Sequence, residues 1–174
     1  MEIETERLLI APIGLDDRPE ELLPVFNSNT DYLEAAEDKE RYQLDDVELY
    51  LWQETMRENS RCLAIRLRET GELVGTACLL VPRPREPVPW IGLLLLRRDQ
   101  QCRGLGAEAA AAIEAALAAE GWNEVHLAVL TSRPEARRFW ERQGYLVYDE
   151  RRSNNKNPCW VMRKELRQPP AAPA

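Results

Sequence analysis

A strand, a glycine-containing loop and a long helix are predicted in succession in the second half of the chain, and this unit constrains the fold most. The continuous apolar run Trp90–Leu96 is typical of a central strand covered on both faces. An alanine-rich helix follows the loop and is predicted to stop at Gly121, a usual C-terminal cap. The first amides of such a helix lack internal partners, and glycines such as Gly104 and Gly106 let an anion approach them closely. The loop therefore predicts a phosphate-binding site. Positive charge nearby comes from Arg97, Arg98 and Arg103.

The spacing of this loop separates the classes of phosphate ligand. The Walker A string Gly-x-x-x-x-Gly-Lys-Ser/Thr is absent from the sequence. The residues from Gly104 to Ala109 match the relaxed dinucleotide fingerprint Gly-x-Gly-x-x-Ala, but seven residues separate Leu96 from Gly104. The fingerprint should begin almost directly after a strand, and its ribose-binding acid should lie about 20 residues on, at a strand end. Glu124 has that spacing but stands at a strand start. A dinucleotide-binding protein is therefore kept as an alternative.

The rest of the sequence predicts further strands and helices within one domain. A helix is predicted over residues 16–27 and an amphipathic helix over 44–58, with an irregular polar segment at 28–43 between them. Strands are predicted over 6–10, 62–68, 73–81, 124–130, 145–151 and 158–164, and a further helix over 134–142. Strand–helix–strand units in the second half indicate an α/β or α+β fold. The 174 residues are expected to form a single domain over 1–167, followed by a mobile tail over 168–174.

Charge is distributed unevenly along the chain. Residues 1–60 carry 17 Asp or Glu and 5 Lys or Arg, a net charge of −12, whereas residues 61–174 carry a net charge of +5. This split predicts an anionic ligand for the second region and a cationic one for the first. Overall acidity argues against a nucleic-acid-binding protein, which usually shows a dominant basic surface. No apolar run approaches the roughly 18 residues of a membrane helix, and the acidic N-terminus lacks a signal-peptide pattern, so a cytoplasmic protein is expected.

Histidine and cysteine are too sparse or too scattered for the usual metal sites. The single histidine, His126, lies inside a predicted strand, where a structural role is expected rather than a catalytic one. No Cys-x-x-Cys motif is present, so the cysteines are expected to be buried free thiols in a reducing compartment, and no metal is expected. The four cysteines are Cys62, Cys78, Cys102 and Cys159.

Two motifs resemble those of the GNAT N-acetyltransferase superfamily. The first, Gln/Arg-x-x-Gly-x-Gly/Ala between a buried strand and a helix, reads Gln101-Cys102-Arg103-Gly104-Leu105-Gly106 here. The second, Asn-x-x-Ala-x-x-x-Tyr-x-x-x-Gly-Phe, corresponds to the stretch from Arg133 to Tyr145, in which the Ala, Gly and aromatic positions match. The resemblance implies an α/β (α+β) fold with a mixed, mostly antiparallel central sheet of about seven strands. That sheet would be splayed between its fourth and fifth strands and flanked by about four helices.

The resemblance also implies acetyl-CoA as cosubstrate and a site for it. Backbone amides of the loop would hold the pyrophosphate, and the end of the preceding strand would pair with the pantetheine arm. A backbone amide in that strand would stabilise the tetrahedral oxyanion while a primary amine attacks directly in a ternary complex. The implied acetyl-CoA contacts are Leu94, Leu95, Leu96, Gln101, Cys102, Arg103, Gly104, Leu105, Gly106, Ala107, Arg133 and Trp140.

The sequence departs from the family pattern at two positions. Trp140 stands where the family usually has a Tyr that can protonate the departing thiolate, and indole is no acid at neutral pH. Packing against pantetheine or in the core is expected of this tryptophan instead. Arg133 replaces the family's Asn, where it could contact CoA or face solvent. The general acid is therefore unassigned, and a catalytically silent acetyl-CoA-binding regulatory module is an alternative to an enzyme.

A base is needed because acceptor amines are protonated at pH 7 and must lose one proton before attack. The acidic stretch Asp31, Glu34, Glu37 and Asp38 comes from the region that would line the acceptor cleft in this fold. Glu34 and Glu37 are the candidate bases. A cationic small-molecule or peptide amine is expected as the acceptor, with no nucleic-acid or membrane partner. A homodimer is left open, because one sequence does not show which apolar surface is exposed.

Overall fold

The computed structural model describes residues 1–168 and 170–173. Eight strands form one sheet: β1 (Ile3–Glu4), β2 (Leu8–Pro12), β3 (Ser60–Leu67), β4 (Leu73–Leu80), β5 (Trp90–Leu96), β6 (Glu124–Leu130), β7 (Leu146–Arg152) and β8 (Pro158–Glu165). Their order across the sheet is β1-β2-β3-β4-β5-β6-β8-β7. β5 and β6 pair in parallel, and the other neighbouring strands pair antiparallel. This is the mixed, mostly antiparallel sheet that the resemblance implies, with the two-residue β1 added at one edge.

Within the described residues, five α-helices accompany the sheet: α1 (Leu23–Asn27), α2 (Thr30–Tyr32), α3 (Leu44–Met56), α4 (Leu105–Ala119) and α5 (Pro134–Arg142). The last three lie where the sequence predicts helices. The helix predicted over 16–27 is divided, because a 3-10 turn at Pro19–Leu22 precedes α1 and Pro24 has no N–H to continue a hydrogen-bonded turn. The segment 28–43, predicted to be irregular, contains α2 and a π-helical turn at Leu33–Glu37.

Helices cover both faces of the sheet. α4 and α5 lie on one face, where α4 buries an apolar stripe against the strands. α1 and α3 pack on the other face over the N-terminal half of the sheet. β4, buried along its whole length, separates the two layers. The α4 stripe is Leu105, Ala109, Ala110, Ile113 and Leu117. The sheet has a gap beside β5, and this gap lies between the two layers of helices.

The sheet opens between β5 and β6. The two strands share residue pairs only at the start of β5, Trp90 with His126 and Ile91 with Leu127, within the described residues. The expectation that β5 is covered on both faces throughout is therefore wrong, since Gly92 is exposed and the two leucines after it are half-buried. Because β1 adds one strand at the edge, the splay predicted between the fourth and fifth strands falls between β5 and β6.

The single histidine, His126, is hydrogen-bonded through both ring nitrogens, which fits the structural role expected of it. Its Nδ1 lies 2.8 Å from the Tyr148 hydroxyl and its Nε2 lies 3.1 Å from Glu124 Oε1. The four cysteines are free thiols, but only Cys78 and Cys159 are buried among these described residues. The expectation that all four are buried is therefore wrong for Cys102, which is exposed, and for Cys62, which is half-buried. Across the described ranges, no group of three or more His, Cys, Asp or Glu residues is arranged to hold a metal ion.

Two further expectations concern the chain as a whole. Among the helices of the described residues, none is both long and apolar enough to span a bilayer. A cytoplasmic location stays a prediction. The predicted mobile tail falls partly on positions 169 and 174, which lie outside the described residues, and its mobility also stays a prediction.

Candidate active site

Two cavities flank β5 where the sheet opens. The first, of about 420 Å³, lies between β5 and β6 and reaches α5. The second, of about 480 Å³, lies between α3 and the strands β4 and β5. The first is walled mainly by apolar strand residues at 91–95 and 127–130. The second is lined by acidic and aromatic side chains, among them Tyr32, Glu37, Tyr42, Asp46, Tyr50 and Glu54.

The two cavities meet at a shared set of six lining residues. They are Tyr32, Glu37, Gly92, Leu93, Asn154 and Asn155. The asparagines come from the turn between β7 and β8, and Asn155 Nδ2 donates a hydrogen bond to the Ala36 carbonyl oxygen at 2.9 Å. This contact ties the turn to the π-helical segment that carries Glu37. A polar turn sequence gives no signal of such a contact, so sequence reasoning missed both asparagines.

β5 carries a bulge at this junction. Cys78 of β4 pairs with Leu93 and Leu79 pairs with Ile91, which leaves Gly92 without a partner on β4. A bulge takes backbone groups out of the regular ladder and is common beside active sites. The bulge lies just before the stretch Leu94–Leu96, which the resemblance implies as the strand in contact with pantetheine. A backbone amide free of the ladder can stabilise negative charge on an acyl oxygen.

The loop before α4 has the geometry of an anion cradle. Cys102 and Gly104 adopt left-handed backbone conformations, with φ of 60° and 79°. Alternation of left- and right-handed residues turns successive N–H groups toward one concave side. In the described structure the amides of residues 102–104 have no acceptor, and those of 105–107 open α4, where helical geometry provides none. Six consecutive amides are thus free to bind an anion.

Side chains near this cradle contribute less charge than the sequence suggests. Arg97 is bonded to Asp99 and Glu72, and Arg98 is bonded to Asp31. Arg103 forms no ion pair with any described residue. Gly106 has a packing role, because a Cβ there would lie 3.3 Å from the Phe139 ring. The backbone amides and Arg103 are therefore the groups of this loop that have no partner among the described residues and remain available to an anion.

The Gln101 side chain holds the loop in place. Its Nε2 donates to the Leu96 carbonyl oxygen at 2.9 Å and to Asn29 Oδ1 at 2.8 Å. Asn29 is 1% exposed, and its Nδ2 donates to the carbonyl oxygens of Val25 and Leu96, both at 2.8 Å. This network joins α1, the end of β5 and the cradle. A lone Asn in an irregular segment matches no motif, so sequence reasoning missed it.

Replacing Asn29 with Leu is expected to lower the free energy of unfolding by about 2–4 kcal/mol. Leucine has a similar size but cannot make the three hydrogen bonds, and it leaves the amide of Gln101 with one acceptor fewer. Urea denaturation measures the change. Asn123→Leu, at an exposed asparagine, is the matched control, with an expected change within about 0.5 kcal/mol. Equal midpoints for the two variants would contradict a structural role for the network.

Arg133 and Trp140 both line the first cavity. Arg133 is 18% exposed and reaches Asp31 at 3.5 Å and Glu135 at 3.3 Å, but its Nη1 is buried with no partner in the described structure. A buried donor normally finds an acceptor, which favours contact with CoA over the solvent-facing alternative. Trp140 is buried and packs edge-on against its neighbours Phe139 and Tyr145, which fits the packing role expected of it.

Of the two candidate bases, Glu37 lines both cavities and Glu34 lines neither. Burial raises the pKa of Glu37, while the charge of Lys39 and a hydrogen bond from Tyr42 oppose that rise. A carboxylate with a raised pKa is better suited to accept a proton near neutral pH. The other two acids of the predicted stretch, Asp31 and Asp38, line neither cavity.

Two more carboxylates line the second cavity, from a region that the sequence analysis assigned to an amphipathic helix. Asp46 is bonded to Lys39, and Glu54 is bonded to Ser60 and lies 3.5 Å from Arg57. Both carboxylates are thus already engaged, whereas Glu37 makes no ion pair within 4.0 Å in the described residues. Glu37, which accepts a hydrogen bond from Tyr42 but forms no ion pair among the described residues, is therefore the carboxylate of this cavity best able to take a proton.

Residues 23–145 match the sequence model of the acetyltransferase (GNAT) family. The match spans more than half of the chain, so the chain belongs to this family. It is an acetyl-CoA-dependent N-acetyltransferase, with acetyl-CoA as cosubstrate. Membership of this family favours acetyl-CoA over a dinucleotide as the ligand of this chain. A comparison with curated protein sequences found no match.

Solved structures agree with this fold. An acetyltransferase from Thermus thermophilus is 25% identical, with a TM-score of 0.75 over 95% of this chain and 100% of that chain. AAC(6')-Ib, in complex with ribostamycin and coenzyme A, is 20% identical, with a TM-score of 0.74 over 92% and 94%. The spermidine N-acetyltransferase from Vibrio cholerae, in complex with CoA and spermine, is 12% identical, with a TM-score of 0.69 over 93% and 97%.

Proposed function

We propose that this acetyltransferase moves the acetyl group of acetyl-CoA to a primary amine by direct attack in a ternary complex. One observation carries the proposal: the two cavities meet at Glu37 and at the bulge residue Gly92. The first cavity runs along β5, which leads into the free amides of residues 102–107, and it suits the pantetheine arm with the pyrophosphate on the cradle. The second cavity suits the acceptor, which would meet the thioester at the junction.

Each group at the junction has a chemical task in this proposal. Glu37 takes a proton from the acceptor ammonium, and the freed nitrogen lone pair attacks the thioester carbonyl. The backbone amide at the Gly92 bulge stabilises the oxyanion, and the carbonyl re-forms as the C–S bond breaks and the nitrogen gives its second proton to water. Arg133 and the cradle fix the CoA moiety. No covalent enzyme intermediate is needed, which suits a junction with no paired nucleophile and base.

The second cavity favours a cationic acceptor. Its three carboxylates outnumber its two cationic side chains, Lys39 and Arg57, so the lining attracts ammonium groups, and tyrosine rings hold cations over their faces. Of the acidic stretch that motivated this expectation, only Glu37 lines the cavity among the described residues; Asp46 and Glu54 of α3 supply the rest. Two of the structural neighbours are complexes with polycationic amines, one with spermine and the other with ribostamycin. A polyamine, an aminoglycoside or a peptide amine is the proposed acceptor class.

Calorimetric titration of acetyl-CoA, followed by a thiol-release assay over an amine panel, tests the proposal. Arg103→Glu reverses an exposed charge at the cradle and leaves both glycines in place. A side chain at Gly104 would be strained by its positive φ, and one at Gly106 would contact Phe139. Arg103→Glu is expected to raise the Kd for acetyl-CoA about tenfold or more, because it loses a charge-assisted contact and adds repulsion. Arg167→Glu, the same change at another exposed position, should leave the Kd unaltered.

The panel holds a monoamine, a polyamine, an aminoglycoside and a peptide with a free N-terminus. Thiol release with at least one polycationic member, above the monoamine rate, supports the proposal. A well-folded wild-type protein that does not bind acetyl-CoA would overturn the assignment of the cradle. Tight binding with no thiol release from any amine would overturn the proposed transfer and favour the silent binding module.

A further inference from the structure

Two of the six residues shared by the cavities carry a proton that could take part in transfer, Tyr32 and Glu37. The other four offer a backbone, a leucine side chain and two amides. Glu37 faces the incoming amine in the proposed function. Tyr32 is the other titratable group among these six residues, and the proposed function leaves its hydroxyl without a role.

Thioester aminolysis needs a stabilising group on the sulfur side as well as on the amine side. When the C–N bond has formed and the C–S bond breaks, the electron pair of that bond goes to sulfur. Along β5 and β6 the first cavity offers the resulting thiolate apolar strand residues, and its α5 wall presents the buried indole Trp140. Its polar side chains come from the segment with Tyr32 and Glu37, from Arg133 and from the β7–β8 turn. A charge desolvated in such surroundings is unfavourable unless a donor meets it.

The surroundings of Tyr32 hold it in place and keep it protonated. Its ring packs against the cluster of buried residues beneath α1 and α3, and the Arg133 guanidinium carbon lies 5.8 Å from the ring centroid. Burial raises the pKa of Tyr32 well above its ordinary value, and the charge of Glu37 adds to that rise. The phenol is therefore an O–H donor at every pH at which the enzyme could work.

We propose that the Tyr32 hydroxyl donates a hydrogen bond to the CoA sulfur as it departs. The proposal rests on the proposed function for its placement of the thioester at the junction. Two protons leave the ammonium: Glu37 takes the first before attack, and the nitrogen gives the second to water after the C–N bond has formed. The C–S electron pair goes to sulfur, and CoA leaves as a thiolate that later takes a proton from water. Tyr32 keeps its own proton, because a free thiol, with a pKa near 8.5, is the stronger acid.

The first test is kinetic and uses Tyr32→Phe, which removes the hydroxyl and keeps the ring. We expect kcat to fall about 10–100-fold, the loss of one hydrogen bond to a charged group, with KM for acetyl-CoA nearly unchanged. Tyr148→Phe is the matched control, because Tyr148 lies outside both cavities and bonds His126. Its kcat should equal that of the wild type. Circular dichroism and thermal melting verify that both variants fold.

The second test measures the pKa of the bound CoA thiol and needs no turnover. The Kd of CoA is measured against pH and compared with that of desulfo-CoA, which lacks the thiol. With Tyr32 present the bound thiolate is stabilised, so we expect a thiol pKa about one unit lower than in Tyr32→Phe. Glu37, Arg133 and Cys159 also face this cavity, but they are the same in both proteins, so the difference isolates Tyr32.

The outcomes separate this proposal from the proposed function. If no amine is acetylated but the thiol pKa still differs by about one unit, the transfer fails and the Tyr32 assignment stands. If amines are acetylated, while Tyr32→Phe keeps its kcat within about twofold and leaves the thiol pKa unmoved, the Tyr32 assignment is overturned and the proposed function stands.

Discussion

Replacing Glu37 with Gln is expected to lower kcat/KM for acetyl transfer by about 100-fold or more, the usual effect of losing a positioned general base. Glutamine has nearly the same shape but cannot accept a proton. Glu37 is the carboxylate at the junction of the two cavities, beside the β5 bulge. Acetyl-CoA binding should change little, because the cradle and Arg133 are untouched. Initial rates with the preferred amine, together with calorimetry, measure both quantities.

The pH profile gives this prediction a second readout. A base must be ionised to act, so the rate should fall as pH drops through the pKa of Glu37. Partial desolvation raises that pKa above its ordinary value, so the acidic limb should lie at higher pH than for a glutamate in water. Glu37→Gln should lose this limb altogether. Glu34→Gln makes the same charge change outside both cavities; equal losses in the two variants would show that general electrostatics, not Glu37 itself, is responsible.

The choice between Glu34 and Glu37 shows where sequence reasoning ends. Both lie in one acidic stretch, and nothing in their spacing distinguishes them. The structure separates them because the stretch forms a π-helical turn at Leu33–Glu37, which leaves Glu34 outside the cavities and places Glu37 between them. Single π-turns carry no hydrophobic periodicity of their own. The N-terminal third was predicted least well, because its helices are short and interrupted by proline and therefore also show little hydrophobic periodicity.

The C-terminal two thirds follow the sequence closely. β5, β6 and α5 have the predicted bounds, because long apolar runs, a helix-opening proline and capping glycines mark their ends. The cradle was predictable for the same reason. Residue patterns alone did not predict the gap beside β5, because a continuous apolar run predicts a strand that is covered on both faces. The gap was expected only from the family resemblance. Asn29 and the two asparagines of the β7–β8 turn act through long-range contacts, which a single sequence does not reveal.

Gly75 is a second position with a large expected effect, this time on stability. It lies at the centre of the sheet, paired with Leu96 of β5 and Ile65 of β3. A Cβ at Gly75 would lie 2.6 Å from Leu96 Cδ2 and 2.8 Å from the Leu95 carbonyl oxygen. The second of these atoms is backbone and cannot rotate away. Any side chain at this position therefore has to push β4 and β5 apart.

Gly75→Val is expected to lower the free energy of unfolding by about 3 kcal/mol, the upper part of the usual range for overpacking a core. For a chain of this size that corresponds to a fall in Tm of roughly 6–12 °C. Gly14→Val is the matched control, because the nearest atom to a Cβ there is Asp17 Oδ2 at 4.0 Å. Thermal melting of both variants decides the matter. If Gly75→Val has the same Tm as the wild type, β4 and β5 can move apart at little cost in free energy.

If β4 and β5 can move apart at little cost in free energy, the interpretation of the active site also changes. Leu96 accepts hydrogen bonds from Asn29 and Gln101 through its carbonyl oxygen, so a displaced β5 would shift the cradle with it. If Gly75→Val is destabilised as expected, the residual folded protein should bind acetyl-CoA more weakly than Gly14→Val does. Loss of stability with unchanged affinity would instead show that the cradle and the bulge are held by α4 and the Asn29 network, independently of the β4–β5 contact.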